Sequence, residues 1–127
     1  MKLVPPLVIA GRWEDPGVDD ALQQRLAANE STFRDVNEAI QSGRWPGDAT
    51  ARVAFRCECA NLGCNMLVEM TVAAYEQVRG HPRRFLVVAD HHIPDAESVV
   101  ETGAGYVVVE KRGEAGRVAE ETDPRAP

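Results

Sequence analysis

The feature that most constrains this chain is a tight cluster of cysteines. All three cysteines of the 127-residue sequence lie within eight consecutive positions, as Cys57, Cys59 and Cys64. Thiolates held this close together usually bind a metal ion, and zinc is the common choice for sulfur and imidazole ligands. A tetrahedral site needs a fourth ligand, which one of the three histidines could supply. The cluster therefore predicts a zinc site.

The size and composition predict one globular domain with a modest core. Hydrophobic residues make up 44% of the chain and charged residues 27%, as in ordinary globular proteins. Aromatic residues make up only 6%, so the core depends on aliphatic side chains and would gain stability from a metal. The net charge of −6 argues against a nucleic-acid binder, because phosphate contacts need a concentrated basic surface.

The sequence predicts a cytoplasmic protein. No segment of it approaches the roughly 18 apolar residues of a membrane span. The apolar run at its start is interrupted by Pro5 and Pro6 and carries one lysine, so it resembles a signal peptide only faintly. An odd number of cysteines fits metal ligation in a reducing compartment better than a disulfide framework.

The pattern between Val18 and Ser42 predicts a long N-terminal helix. Charged residues such as Glu30 and Arg34, one turn apart, would form i,i+4 pairs on its solvent side. The other side has a stripe at alternating four- and three-residue steps. The members of this stripe are Leu22, Leu26, Asn29, Phe33, Val36 and Ile40. The stripe predicts that the helix lies on its own domain's sheet. The alternative is a homodimer through the helix from Leu22 to Ile40, with its single asparagine setting the register.

Strand signals follow the helix. Arg52–Cys57 and Met66–Thr71 flank the cysteine cluster as an antiparallel pair, with alternating polar and apolar residues in the first. Thr71 is a good N-cap for a short helix from Val72 to Arg79. Phe85–Ala89 is a continuous apolar run, which predicts a central strand.

The last part of the chain predicts a hairpin and a tail. Two strands, Glu97–Thr102 and Tyr106–Glu110, flank a glycine-rich turn. The composition then changes to Gly, Glu, Pro and Arg, which predicts a disordered tail over residues 112–127. The predicted organisation is an N-terminal extension over 1–18, one zinc-binding domain over 19–111 and this tail.

His91 is the preferred fourth ligand among the histidines. It follows the predicted strand Phe85–Ala89, and pairing in a sheet can bring the end of that strand beside the cysteines. His92 would then face the other way, and His81 lies in a turn that places it less well. Three thiolates and one imidazole fill a tetrahedron, which favours a structural site over an enzyme.

Two alternatives stay open at this point. If His91 were not a ligand, an open three-cysteine site with Glu58 or Asp90 nearby could activate a water molecule, as in zinc deaminases. A thiol-based redox sensor could instead release zinc when Cys57 and a neighbouring cysteine are oxidised. The cysteine spacing does not separate the redox sensor from a structural role. The His/Cys-x-Glu and Pro-Cys-x-x-Cys pattern of zinc deaminases is absent as a whole, which argues against the enzyme. Gly63, just before Cys64, would let backbone amides point at the sulfurs.

Several of these segments resemble a family of small uncharacterised proteins from high-GC bacteria. The resemblance extends over residues 29–111 and depends on spaced motifs. These are Asn29-Glu-x-x-Phe33-Arg-x-Val36-Asn-Glu-x-Ile40, Phe55-x-Cys57-Glu-Cys59-x4-Cys64, Thr71-x-x-x-Tyr75-Glu-x-Val78-Arg, Pro82-x-Arg84-Phe85 with His91 beyond, and Gly105-Tyr106-x-Val108-Val109-Glu-Lys111. The resemblance implies a zinc-type site and no known activity. Its ligands would be Cys57, Cys59, Cys64 and His91. The family's loop reads Pro-Gly-His-Glu where this chain has Ala89-Asp90-His91-His92, which leaves His92 as an alternative ligand.

The sequence as a whole predicts an α+β fold. A long N-terminal helix would pack on a small, mainly antiparallel sheet that carries a zinc knuckle. We expect a small bacterial zinc-binding protein with an interaction or regulatory role and a protein partner, rather than an enzyme, a membrane protein or a nucleic-acid binder.

Overall fold

The computed structural model describes residues 16–126 and confirms the α+β class. The elements in chain order are α1 (Pro16–Ser42), β1 (Arg52–Arg56), β2 (Leu67–Thr71), α2 (Val72–Arg79), β3 (Arg84–Val88), β4 (Glu97–Gly103), β5 (Tyr106–Lys111) and α3 (Gly113–Glu121). The predicted N-terminal extension lies outside the described residues, except that residues 16–18 already belong to α1. Within the described range, no helix is both long enough and apolar enough to cross a membrane.

The strands form two small antiparallel sheets. β1 pairs with β2, and in the second sheet β5 lies between β3 and β4. The predicted β4–β5 hairpin is confirmed, and Gly105 in its turn has a φ of +80°, which glycine adopts without steric cost. Helix α2 is also as predicted, because the Thr71 side chain accepts a hydrogen bond from the Ala74 amide at 3.0 Å.

The prediction that the Phe85–Ala89 segment forms the central strand is wrong, because β5 holds that place. The continuous apolar run has another cause: β3 is buried on both of its faces. Phe85 and Val87 pack with the cysteines, whereas Leu86 packs with Phe55 and Tyr75 on the opposite side. β3 thus separates the two halves of the core and lies next to the cysteine segment.

The buried face of α1 differs from the predicted apolar stripe. Leu22 and Val36 are exposed, at 44% and 42% of their surface. The buried face is mostly polar and consists of Ala27, Glu30, Ser31, Phe33, Arg34, Asn37 and Gln41. The predicted solvent-exposed pairing of Glu30 with Arg34 is therefore wrong. Arg34 instead donates to the carbonyl oxygens of Pro82 and Ala119, each at 3.0 Å.

The prediction of a disordered tail over 112–127 is wrong for the residues that the structure describes. Residues Gly113–Glu121 form α3, which packs against α1. Its buried residues are small, namely Ala115, Gly116, Val118 and Ala119. A Cβ atom at Gly116 would lie 3.0 Å from the carbonyl oxygen of Lys111, so this helix packs closely against the end of β5.

Candidate metal centre

The cysteine segment, residues 57–64, forms a compact turn that we call the knuckle. It continues the β1–β2 hairpin, since the Cys57 amide donates to the Met66 carbonyl oxygen at 3.0 Å. Asn61 shapes the turn: its side-chain oxygen accepts from the Gly63 amide at 2.9 Å, and its carbonyl oxygen accepts from the Cys64 amide at 2.9 Å. This local geometry folds Cys64 back towards Cys57.

The loop after β3 brings His91 to the knuckle. The His91 amide donates to the Val88 carbonyl oxygen at 2.9 Å, which closes a tight turn. Asp90 in this turn has a φ of +73°, in the left-handed region that aspartate tolerates better than most residues. The turn places Nδ1 of His91 3.4 Å from Sγ of Cys57 and 3.8 Å from Sγ of Cys64.

Four potential ligand atoms therefore converge. One atom each from Cys57, Cys59, Cys64 and His91 lies within 4.8 Å of all the others. A tetrahedral zinc ion with Zn–S bonds of about 2.3 Å and a Zn–N bond of about 2.0–2.1 Å separates its ligand atoms by about 3.6–3.8 Å. The two sulfur–nitrogen distances to His91, 3.4 and 3.8 Å, are close to this range, so the four residues could hold a metal ion.

The thiols are free and buried. Burial raises the pKa values of Cys57 and Cys59, because a thiolate without a cation is poorly stabilised away from water. At Cys57 a backbone group opposes this rise in pKa: the Val88 amide donates to Sγ of Cys57 at 3.1 Å. This sulfur-directed amide comes from β3. Within the knuckle, the Gly63 amide donates to the side-chain oxygen of Asn61 and not to a sulfur. A metal ion would supply the positive charge that the buried sulfurs lack.

Glu58 lies between two of the ligands but is directed into the core. Its carboxylate is fully buried and accepts hydrogen bonds from the Asn37 side chain at 2.8 Å, the Tyr75 hydroxyl at 2.5 Å and the Leu86 amide at 2.8 Å. Burial raises its pKa, although these donors and the charge of Arg79 act in the opposite direction. Because its carboxylate is buried and bound by these three donors, Glu58 does not face the metal centre as the acid or base of an open site.

Two asparagines of α1 hold the backbone around the knuckle. Asn37 exchanges two hydrogen bonds with Arg56: its amide nitrogen donates to the Arg56 carbonyl oxygen at 2.8 Å, and its oxygen accepts from the Arg56 amide at 2.7 Å. Asn29 donates to the Ala60 carbonyl oxygen at 3.0 Å. Sequence analysis placed Asn29 on the stripe of α1 that faces the domain's own sheet, with a dimer seam as the alternative, and gave Asn37 no role. The sequence signal for Asn37 is its position on a helical face that carries other polar residues. This signal can be interpreted only when the neighbouring strand β1 is known.

A cavity of about 410 Å³ adjoins the centre. It is lined by Leu26, Cys59, Ala60, Asn61, His91 and Ile93. Of the three cysteines only Cys59 contributes to its wall, so a small molecule can approach the centre from this side.

Comparison with known proteins adds no relative. No protein-family model matches the chain, and neither a curated protein nor a solved structure matches it.

The four ligand residues expected from the sequence are brought together, while His81 and His92 are not part of the converging group. The assignment of the centre therefore depends on its own geometry.

Proposed function

We propose that this protein is a small zinc-binding protein with an interaction or regulatory role and a structural Cys3His centre. The observation that supports the proposal is the convergence of Cys57, Cys59, Cys64 and His91 from two separate segments within 4.8 Å. Zinc in such a set would join the knuckle to the loop after β3. Three thiolates and one imidazole complete a tetrahedron and leave no coordination position for a substrate or water, so no reaction is assigned.

The surface beside the knuckle supports the interaction role. Leu62, Met66 and Leu67 are close in sequence and expose 57%, 48% and 56% of their surface. Apolar side chains concentrated in this way often mark a protein-binding surface. A zinc-braced knuckle would present them on a rigid support to a protein partner. The homodimer through residues 22–40 stays a proposal of the same kind, with Leu22 and Val36 as its exposed apolar contacts.

The proposal also places the protein in the bacterial cytoplasm. A reducing compartment keeps the three cysteines as thiols, which is the state that a zinc ion needs. The resemblance of residues 29–111 to small proteins of high-GC bacteria supports the same placement.

Metal analysis of the purified protein tests the centre. We expect one zinc ion per chain in the wild type, less than a tenth of that in Cys59→Ser and His91→Ala, and unchanged zinc in the control His81→Ala. Inductively coupled plasma mass spectrometry of the three variants and the wild type gives the ratios directly. Wild-type protein that stays without zinc after refolding with the metal contradicts the proposal, and full zinc in His91→Ala removes His91 from the ligand set.

The cavity beside Cys59 favours one second candidate, a thiol-based redox sensor. A hydroperoxide that enters the cavity could oxidise the Cys59 thiolate to a sulfenic acid and leave as an alcohol or water. A neighbouring cysteine would attack the sulfenic sulfur, form a disulfide with loss of hydroxide, and free the metal. The same zinc measurement, repeated after one equivalent of hydrogen peroxide, separates the two candidates: retained zinc supports the structural role, and released zinc with a disulfide supports the sensor.

A further inference from the structure

We propose that Glu58 is a positioning residue of the metal centre, which sets the arrangement of Cys57 and Cys59 by anchoring the backbone between them. The inference rests on the proposed zinc centre and adds to it a determinant that does not touch the metal. Glu58 itself is not a ligand, because its carboxylate lies outside the converging group.

The spacing of the two cysteines creates the need for such an anchor. Residues two apart in a regular strand point to the same face but lie about 6.6 Å apart along it. Two thiolates on one zinc ion are only about 3.8 Å apart. The backbone leaves regular strand geometry here, because β1 ends at Arg56 and residues 57–59 are not part of a strand. This irregular backbone has to be held in place by contacts outside the strand ladder. The side chain of Glu58, between the two cysteines, points to the opposite face. It can therefore anchor this backbone without contacting the metal.

The contacts of Glu58 supply this hold from three elements. Asn37 belongs to α1, Tyr75 to α2 and the Leu86 amide to β3, and all three donate to the same carboxylate. The Glu58 backbone amide also donates to the Leu86 carbonyl oxygen at 2.7 Å, so backbone and side chain both bind one residue of β3.

The anchoring groups are themselves well fixed. Asn37 and Leu86 are fully buried, and the ring of Tyr75 stacks on Phe55 with centroids 4.4 Å apart. Asn37 also binds both backbone groups of Arg56, next to Cys57. A rigid set of donors thus fixes the chain on either side of the first ligand. Partners of this kind beyond the ligand shell typically change metal affinity by about 10–100-fold when they are removed.

Zinc affinity and the cobalt spectrum test the role of Glu58. Zinc dissociation constants are measured by competition with a chromophoric chelator, and the visible bands of the Co²⁺-substituted protein report the ligand arrangement. We expect Glu58→Ala to bind zinc about 10–100-fold more weakly and to shift the cobalt bands. Glu58→Gln keeps an acceptor for the Leu86 amide and should recover part of the affinity. Tyr75→Phe removes one donor and should weaken zinc binding less than Glu58→Ala.

The control Val118→Ala separates positioning from general destabilisation. Val118 lies on α3 in a different part of the core, so its truncation should lower thermal stability and leave zinc affinity and the cobalt bands unchanged. The proposal is overturned if Glu58→Ala and Glu58→Gln both match the wild type in affinity and spectrum, or if Val118→Ala weakens zinc binding as much as Glu58→Ala. If Glu58→Ala does not fold, the test uses Glu58→Gln alone. A Glu58→Gln variant with the affinity and spectrum of the wild type then overturns the proposal. A wild type that binds no zinc would refute the proposed function itself, whereas unchanged Glu58 variants of a zinc-binding wild type refute only this inference.

Discussion

At the residue scale, a buried cluster of charged side chains connects elements that are distant in the sequence. The ammonium of Lys111 on β5 contacts Glu30 on α1 and Glu97 on β4, at 2.5 Å each, and all three side chains are almost completely buried. Two buried carboxylates share one positive charge, which favours the protonated form of one of them. Burial raises the pKa of Glu30 well above its ordinary value. Burial would also raise the pKa of Glu97, but the hydrogen bond with Glu30 and the charge of Lys111 lower it.

The raised pKa of Glu30 predicts a stability that decreases as the pH rises. Between the ordinary carboxyl pKa of 4.5 and the raised folded value, the folded state holds a proton that the unfolded state has lost. The free energy of unfolding therefore falls through this window, by about 1.4 kcal/mol for each unit of the pKa difference. Glu30→Gln removes this titration and should be stabilised relative to the wild type at the upper end of the window.

Urea unfolding of zinc-saturated protein, measured in steps from about pH 4.5 to pH 8, checks this prediction. The difference in unfolding free energy between Glu30→Gln and the wild type cancels the contribution of groups that do not contact Glu30. It retains that of Glu97, whose pKa depends on Glu30, and so reports on the carboxylate pair. Glu101→Gln, at an exposed position of β4, is the matched control for the loss of a carboxylate. If the difference for Glu30→Gln follows the same course with pH as the difference for Glu101→Gln, Glu30 does not hold the extra proton.

At the scale of elements, local sequence patterns predicted the short strands, the short helix α2 and the β4–β5 turn well. The alternation in β1, the Thr71 cap of α2 and the glycine-rich β4–β5 turn are set by neighbouring residues, so they are readable without the fold. The buried face of α1 was not readable, because Arg34 and Asn37 are buried only through partners that lie far along the chain. Polarity predicts exposure unless a specific acceptor or donor is supplied by the tertiary structure.

Helix α3 was missed for a related reason. Its sequence begins and continues with glycine, which has a low helix propensity, and Gly113 has a φ of +56°. Close packing against α1 and β5 outweighs that propensity, since only small residues fit where Ala119 is completely buried.

A charge at Ala119 should therefore unfold α3 from the body of the protein. Ala119→Asp would bury a carboxylate among the apolar side chains and thiols that surround Ala119, and we expect a loss of at least about 3 kcal/mol in unfolding free energy. Ala28→Asp, at an exposed position of α1, is the control and should cost less than about 1 kcal/mol. Chemical denaturation followed by circular dichroism gives both values. Equal effects of the two substitutions would mean that the segment after β5 is not packed in solution.

At the scale of the whole molecule, the candidate centre lies where the two sheets meet. The knuckle extends from the β1–β2 sheet, and His91 follows β3 of the other sheet. The sequence could predict the four ligand residues, because sulfur and imidazole have few other reasons to cluster. The sequence could not predict how the two sheets pack against each other at the centre, because this packing depends on Glu58 and Asn37. Their partners are set by the fold rather than by any spacing in the sequence.

Removal of zinc should therefore loosen the junction between the sheets before it unfolds either of them. A metal ion at a free concentration of a hundred times its dissociation constant stabilises the folded state by about 2.7 kcal/mol. A chelator that removes the zinc removes this stabilisation. We expect the largest gain in amide hydrogen exchange within the knuckle and at residues 89–93. The Val88 amide should follow, because it donates to Sγ of Cys57. Amides of β5, which pairs on both sides, should remain protected longest.

Hydrogen exchange followed by mass spectrometry, with and without chelator, measures this order peptide by peptide. His91→Ala provides the matched control: its exchange with zinc present should resemble that of the chelated wild type, and chelator should change it little. If β5 and the knuckle lose protection together, the metal supports the entire fold and the sheets have no stability of their own. If protection at the knuckle does not change on chelation, the four ligands converge through packing alone, because the anchors of the Glu58 backbone would then suffice to hold the bend without an ion.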